Sequence, residues 1–338
     1  MRLKLSVTGA RRLLFCTLMG VSLSTGCSSP SGPTQQPPPP PPPPEAPTLS
    51  CEEGINRATI SQDGLAISYP APEARNGQTP VNVSCSPASG SMFPIGQTTV
   101  SCTATDALSR QAACEFSVTI TRAPQLQRVR FMAFGDSMTA GEVTFPGSTA
   151  SLPASGKQVV VPSAAYPTVL LRLLQSRYSF QADTLLVSNQ GLGGEKAAVA
   201  RNRFFAAMSS VNPDVLLLWH GHNDIPGGLD GAASTAASEV RTMVIEANRR
   251  GVRVFLATPL PGRPNGNRTV PDFFLVDYAN RMRDVAAREN AVLVDLYTLL
   301  KPDVFRYIGV DGLHPNEAGY ARIAELWFEA IRANLEVR

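Results

Sequence analysis

The chain has 338 residues, more than one ordinary domain uses, and its 30 Lys and Arg against 27 Asp and Glu give a formal net charge of +3. Arg2, Lys4, Arg11 and Arg12 all precede the first plausible cleavage point, so without those four charges the remainder stands near −1. A nucleic-acid binder needs surplus Lys and Arg to displace counterions from phosphates, so no nucleic-acid partner is expected.

Residues 1–26 open with that basic stretch, continue through the apolar run Leu13 to Leu23, and end in the small residues Ser24, Thr25 and Gly26 before Cys27. This is the architecture of an export signal. The apolar run is about half of the ~20 residues that a membrane-spanning helix requires, which argues against a permanent span. Leu23-Ser24-Thr25-Gly26-Cys27 resembles a bacterial lipobox, although Ser24 stands where such signals prefer Leu. The resemblance implies lipidation of Cys27 and an exported protein anchored by lipid in the bacterial cell envelope, at the outer membrane or cell surface. The other reading is an ordinary secretory signal with Cys27 as a stray thiol.

Residues 27–50 form a Pro-rich spacer, expected to be disordered apart from the unbroken run Pro37 to Pro44, which adopts an extended polyproline helix. At ~3.1 Å per residue, eight prolines hold the next domain about 25 Å from the anchor. Over 51–122 the pattern changes to period two. Val81, Val83 and Cys85 alternate with polar residues, as do Val100, Cys102 and Ala104, then Phe116, Val118 and Ile120. Half-buried strands punctuated by Pro and Gly clusters predict a small all-β, immunoglobulin-like sandwich. Cys51, Cys85, Cys102 and Cys114 lie within it, and four cysteines allow three pairings. Cys51–Cys114 with Cys85–Cys102 is favoured, since the first would tie the opening strand to the last and the second would close a local loop.

The run Ser86 to Gly96, the adjoining Thr98 to Asp106 and the ending Cys114 to Thr119 resemble a hyalin-repeat (HYR) domain. That resemblance implies extracellular adhesion or spacing. With only Tyr69, Phe93 and Phe116 as aromatics and no Trp for a sugar to stack on, the spacer role is favoured over binding of a surface partner.

From 123 to 338, apolar runs alternate with helical patterns. Val129 to Phe134, Leu185 to Val187, Val215 to Trp219, Val252 to Ala257 and Val292 to Val294 read as buried parallel strands. Helices are expected near Tyr166 to Leu174, Lys196 to Met208, Ser234 to Arg249 and Leu275 to Glu289. A closing helix carries Tyr320, Ile323, Ala324, Trp327, Phe328 and Ile331 at helical spacing. Strand and helix alternating in this way predict a doubly wound α/β sandwich with its ligand site beyond the carboxyl ends of the strands.

Four segments fall at those ends. Gly135-Asp136-Ser137 follows the first strand and presents a hydroxyl to the cleft, although a capping turn would look the same. Asn189 to Gly194 follows the second; it has neither the third Gly of a dinucleotide fingerprint nor the Lys of a P-loop. His220-Gly221-His222-Asn223-Asp224 follows the third. Two of the chain's three histidines stand here without a Cys or acidic cluster, so no metal and no cofactor is expected. Asp311-Gly312-Leu313-His314-Pro315 follows the fifth, with Pro315 expected at the first position of the closing helix. An Asp three residues before a His can fix its tautomer, leaving the other ring nitrogen to take a serine proton.

These segments, in this order, resemble the SGNH hydrolase (GDSL esterase) superfamily over roughly 127–338. The resemblance implies a flavodoxin-like three-layer α/β/α sandwich with a parallel sheet. It also implies Ser137 as nucleophile, Asp311 and His314 as its triad partners, and an oxyanion hole from the Ser137 and Gly194 backbone N–H groups and the Asn223 side chain. The substrate implied is a carboxylic ester. Gly141 to Ala164 and Pro259 to Pro271 are expected to border the cleft, and neither has a long apolar face. Short acyl groups are therefore favoured, with acetylated polysaccharide as the suggested substrate. A lysophospholipase or lipase-type esterase and a non-catalytic adhesion lipoprotein are the alternatives.

Overall fold

The computed structural model describes residues 39–144, 158–225 and 231–337. Residues 1–26, Cys27, most of the Pro-rich spacer and the greater part of Gly141 to Ala164 lie outside the described residues. Pro39 to Pro44 are exposed and form neither helix nor strand, whereas residues from Glu45 onward belong to one compact unit. Thr48–Ser50, placed in the spacer on composition, instead form a strand paired antiparallel with Glu73–Arg75.

The amino-terminal part of that unit is all β. β1 (Ile55–Thr59), β2 (Asn82–Ser86), β3 (Gly96–Thr105) and β4 (Gln111–Arg122) form one sheet in the order β1-β4-β3-β2, with β1 parallel to β4 and the other pairs antiparallel. Two-stranded pairs add to it. Val100, Cys102, Val118 and Ile120 point to one face, as their period-two spacing requires, and pack with Ile67, Tyr69 and Phe93 in a small core. Cys85 and Cys102 stand directly opposite each other across β2 and β3 and are disulfide-bonded; Cys51 is bonded to Cys114. Such cross-links suit a unit whose core is this small.

Beyond Ala123 the fold becomes a three-layer α/β/α sandwich. Its central sheet contains β5 (Arg130–Gly135), β6 (Leu186–Gly191), β7 (Val215–Trp219), β8 (Arg253–Ala257) and β9 (Val292–Val294), all parallel, in the order β6-β5-β7-β8-β9. Side-chain alternation divides the core in two. Phe131, Ala133, Val215, Leu217 and Trp219 face the helices α1 (Tyr166–Arg177) and α5 (Glu317–Leu335). Met132, Phe134, Leu216 and Leu218 face α2 (Arg201–Val211), α3 (Ala232–Arg249) and α4 (Asp272–Arg288). The closing helix buries its expected stripe except Phe328, which is half-buried, and Tyr166 stacks on Trp327 with ring centroids 5.8 Å apart.

Of the element boundaries that differ from expectation, two have a visible cause. α2 begins at Arg201 rather than Lys196, because the Asp224 carboxylate accepts the Ala197 and Ala198 N–H groups and holds the preceding residues as turns. In α5 the cap is Asn316, whose Oδ1 accepts the Gly319 N–H at 2.8 Å, so Pro315 precedes the helix instead of opening it. β6 is an edge strand, which explains its partial exposure. Glu336–Val337 pairs antiparallel with Gln125–Leu126, and Arg177 and Tyr178 both bond the Glu336 carboxylate.

Candidate active site

The sheet order reverses around β5, so the loops after β5, β6 and β7 open on the same edge. After Gly135, Asp136 accepts the Met138 N–H through Oδ1 at 3.1 Å and starts a single helical turn, Ser137–Ala140. Ser137 is thereby set at the strand's carboxyl end. Its Oγ lies 2.9 Å from Nε2 of His314, a residue 177 positions later in the chain. On the far side of the ring, Nδ1 lies 2.6 Å from Asp311 Oδ2, while Oδ1 accepts the N–H groups of Leu313 and His314, each at 3.0 Å. A carboxylate held by these donors fixes the ring proton on Nδ1, so Nε2 is left to accept from the serine. Burial alone would raise the Asp311 carboxyl, but the hydrogen bond and charge of His314 and the two backbone N–H groups hold it below the usual carboxylate range.

The loop over Pro259 to Pro271, expected to border the cleft, is fastened to this turn. The N–H groups of Arg263 and Arg268 donate to the carbonyls of Gly312 and Asp311 at 3.0 and 2.8 Å, and Arg263 Nη1 donates to Ile308 O at 3.1 Å. The Leu260 N–H donates to His222 Nε2 at 2.9 Å. His222 is buried and its pKa is pushed down to about 3, first by burial and then by the neighbouring His314 and His220. It is a neutral acceptor that ties the loop to the end of β7.

Of the remaining residues expected at the site, Gly194 lies at the end of the glycine-rich loop after β6, with φ +74°. Among the described residues its N–H, like that of Ser137, donates to no protein acceptor. Asn223 uses one amide hydrogen on the Glu195 carbonyl at 3.0 Å, which leaves the other for a ligand.

Comparison with known proteins gives the family. Residues 133–322, more than half of the chain, match the GDSL-like Lipase/Acylhydrolase family. The chain belongs to that family. Residues 44–120 match the HYR domain. Among solved structures, a lipase/acylhydrolase from Enterococcus faecalis is similar at 22% identity, with a TM-score of 0.51 over 61% of this chain and 97% of that one. The acetyl xylan esterase AlAXEase is 24% identical, with a TM-score of 0.47 over 60% and 99% of the two chains. An acetylxylan esterase from Geobacillus stearothermophilus is 20% identical, with a TM-score of 0.46 over 61% and 94%. No curated protein matches the chain. Family and fold together make this GDSL-like acylhydrolase an ester-hydrolysing enzyme.

Behind Asn223 this acylhydrolase has a polar network that the sequence did not disclose. Glu195 receives Arg203 Nε at 2.8 Å on Oε1, and on Oε2 it meets Arg203 Nη2 and, at 3.0 Å, His220 Nε2. Arg203 also donates to the carbonyls of Gln190 and Gly135, and its guanidinium lies 4.0 Å from the Phe134 ring centroid. His220 Nδ1 accepts the Gly221 N–H at 2.8 Å, so Nε2 carries the proton given to Glu195. Burial would raise the Glu195 carboxyl, but the His220 and Arg203 hydrogen bonds overcome it and hold it at about 2. The chain turns here at Gly221, with φ +103°, where a Cβ would stand 2.0 Å from the Tyr278 hydroxyl. Only glycine fits both the angle and the space.

Proposed function

We propose that this chain is an exported serine esterase in which Ser137 is the nucleophile, His314 the general base and Asp311 the residue that orients it. The reading rests above all on the 2.9 Å approach of Ser137 Oγ to His314 Nε2, with Asp311 at 2.6 Å behind the ring. In this mechanism Oγ attacks the ester carbonyl carbon as its proton passes to Nε2. The oxyanion that forms is met by the N–H groups of Ser137 and Gly194 and by Asn223 Nδ2. The intermediate collapses as His314 returns the proton to the departing alcohol. Water then attacks the acyl-Ser137 ester by the same route.

Short acyl groups on carbohydrate are the substrates that best suit the surroundings. Leu260 and Val270, the bulky aliphatic side chains of the loop from Pro259 to Pro271, are buried in the cores and offer nothing to clasp a fatty chain. The sequence of the amino terminus supports attachment to the envelope through a lipid on Cys27. In that arrangement the Pro-rich stretch from Cys27 to Pro44 and the HYR domain that follows it space the catalytic domain, 123–338, from the membrane.

The test is hydrolysis of 4-nitrophenyl acetate by the full chain and by Ser137→Ala, with fluorophosphonate labelling as a second readout. Wild type should turn over the ester and take the label, and the variant should do neither. Retained activity in a folded Ser137→Ala variant removes the assignment. A panel of acyl chain lengths tests the substrate, and a marked preference for long chains would favour lipid esters instead.

A further inference from the structure

Gly141 ends the nucleophile's helical turn in the left-handed region, with φ +95°, and the chain reverses so that Glu142 heads back toward Ser137. One carboxylate oxygen, Oε2, lies 3.7 Å from His314 Nε2, the nitrogen that faces Ser137. That is too long for a hydrogen bond. The other oxygen, Oε1, rests against the glycine-rich loop, where a Cβ on Gly193 would stand only 2.2 Å away. Glycine at 193 therefore leaves the space that this carboxylate fills. The backbone of Glu142 is held firmly, since its carbonyl accepts the Tyr320 hydroxyl at 2.7 Å and its strand pairs with Gln158–Val160.

The Glu142 carboxylate thus stands between the imidazole and the loop that carries Gly194, next to the place where an ester must bind. Among the described residues it receives no hydrogen bond, and its side chain is 18% exposed. Its position is a poor one for a further catalyst. His314 already has Asp311 behind it, and a negative group near the oxyanion opposes the charge that develops there. A half-shielded carboxylate without a donor is satisfied when a ligand brings one.

We infer that Glu142 is a specificity residue that accepts a hydrogen bond from a hydroxyl flanking the scissile ester. The site then selects partly esterified polyols, sugars above all, over esters of alcohols that have no donor. The inference rests on the Ser137 esterase reading and narrows its substrate class.

The experiment compares two acetates on the full chain: a methyl xylopyranoside monoacetate with its remaining hydroxyls free, and the same monoacetate with those hydroxyls methylated. The readout is the ratio of kcat/KM for the two esters. Wild type should favour the free-hydroxyl ester, and Glu142→Ala should lower that ratio about ten- to a hundredfold, the range expected for losing a charge-assisted hydrogen bond to substrate. Glu142→Gln, nearly isosteric, guards against misfolding of the alanine variant and should lower the ratio as well; fluorophosphonate labelling checks that each variant's site is assembled. An unchanged ratio in both variants overturns the inference. So does an equal loss on both esters, which would make Glu142 an electrostatic partner of His314. Absence of any Ser137-dependent turnover by wild type sinks the esterase reading itself, and this one with it.

Discussion

The Glu195 carbonyl oxygen accepts a hydrogen bond from Asn223 Nδ2 at 3.0 Å, so the amide expected to face the substrate is aimed by the residue directly after Gly194. Two of the three proposed oxyanion donors are joined through this contact. If Asn223 acts on the oxyanion, Asn223→Ala should lower kcat about 10²–10³-fold with a much smaller change in KM, because such a donor matters most when charge develops. Steady-state kinetics on 4-nitrophenyl acetate check this, and an unchanged kcat would remove Asn223 from the role.

Arg203→Met should destabilise the fold by about 2–4 kcal/mol, since it leaves the shielded Glu195 carboxylate without its guanidinium and frees the Gly135 and Gln190 carbonyls. Urea denaturation measures the loss. Turnover should fall too, as Glu195 is what holds Asn223, whereas substitution of the surface pair Arg288 and Asp284 should alter neither quantity appreciably.

The buried His222 makes stability depend on pH. Its folded pKa, about 3, lies below the ordinary histidine value of 6.5, so the unfolded chain binds the extra proton between those limits. The contribution of His222 is complete above about pH 6.5 and is lost progressively as pH falls toward 3. Thermal melts across that window should show a shallower decline for His222→Asn than for wild type. Parallel curves would show that His222 does not govern the slope.

Gly221→Ala should be strongly destabilising, because the new methyl meets the Tyr278 hydroxyl at a backbone angle that L-residues avoid. Adding Tyr278→Phe removes the nearest clashing atom but leaves ring carbons 2.6 and 3.0 Å from the methyl, so it should recover only a minor part of the loss and none of the part due to φ. A double-mutant cycle by denaturant melts tests this, and strict additivity would contradict it.

Strand positions were the most legible feature of the sequence. Val215–Trp219 and Val292–Val294 form strands with the bounds their apolar runs suggested, and the period-two spacing of Val100, Cys102 and Ala104 marks a buried sheet face. The Ser137 segment was recognisable at the end of its strand and the Asp311–His314 segment by its motif alone, since short helices over 296–307 separate it from β9 instead of leaving it at the strand's end. What stayed hidden depends on long-range partners. The start of α2 follows from Asp224, more than twenty residues away, accepting two N–H groups. Asn316 outcompetes Pro315 for the helix boundary because its side chain supplies an acceptor that proline lacks. Glu195, Arg203 and His220 look like ordinary surface or core residues until the fold joins them. The nearest available hint was that Glu195 directly follows the glycine expected to bind the oxyanion. Glu142, directly after Gly141, gives no local sign that it turns back toward the histidine.

The antiparallel pairing of Gln125–Leu126 with Glu336–Val337 places the first and last segments of the α/β sandwich side by side. Topologically the hydrolase is a cassette whose two ends meet at a single seam. A short splice across that seam, with new termini opened in the largely exposed stretch from Pro264 to Asn267, would preserve the strand order, so the architecture lends itself to circular permutation.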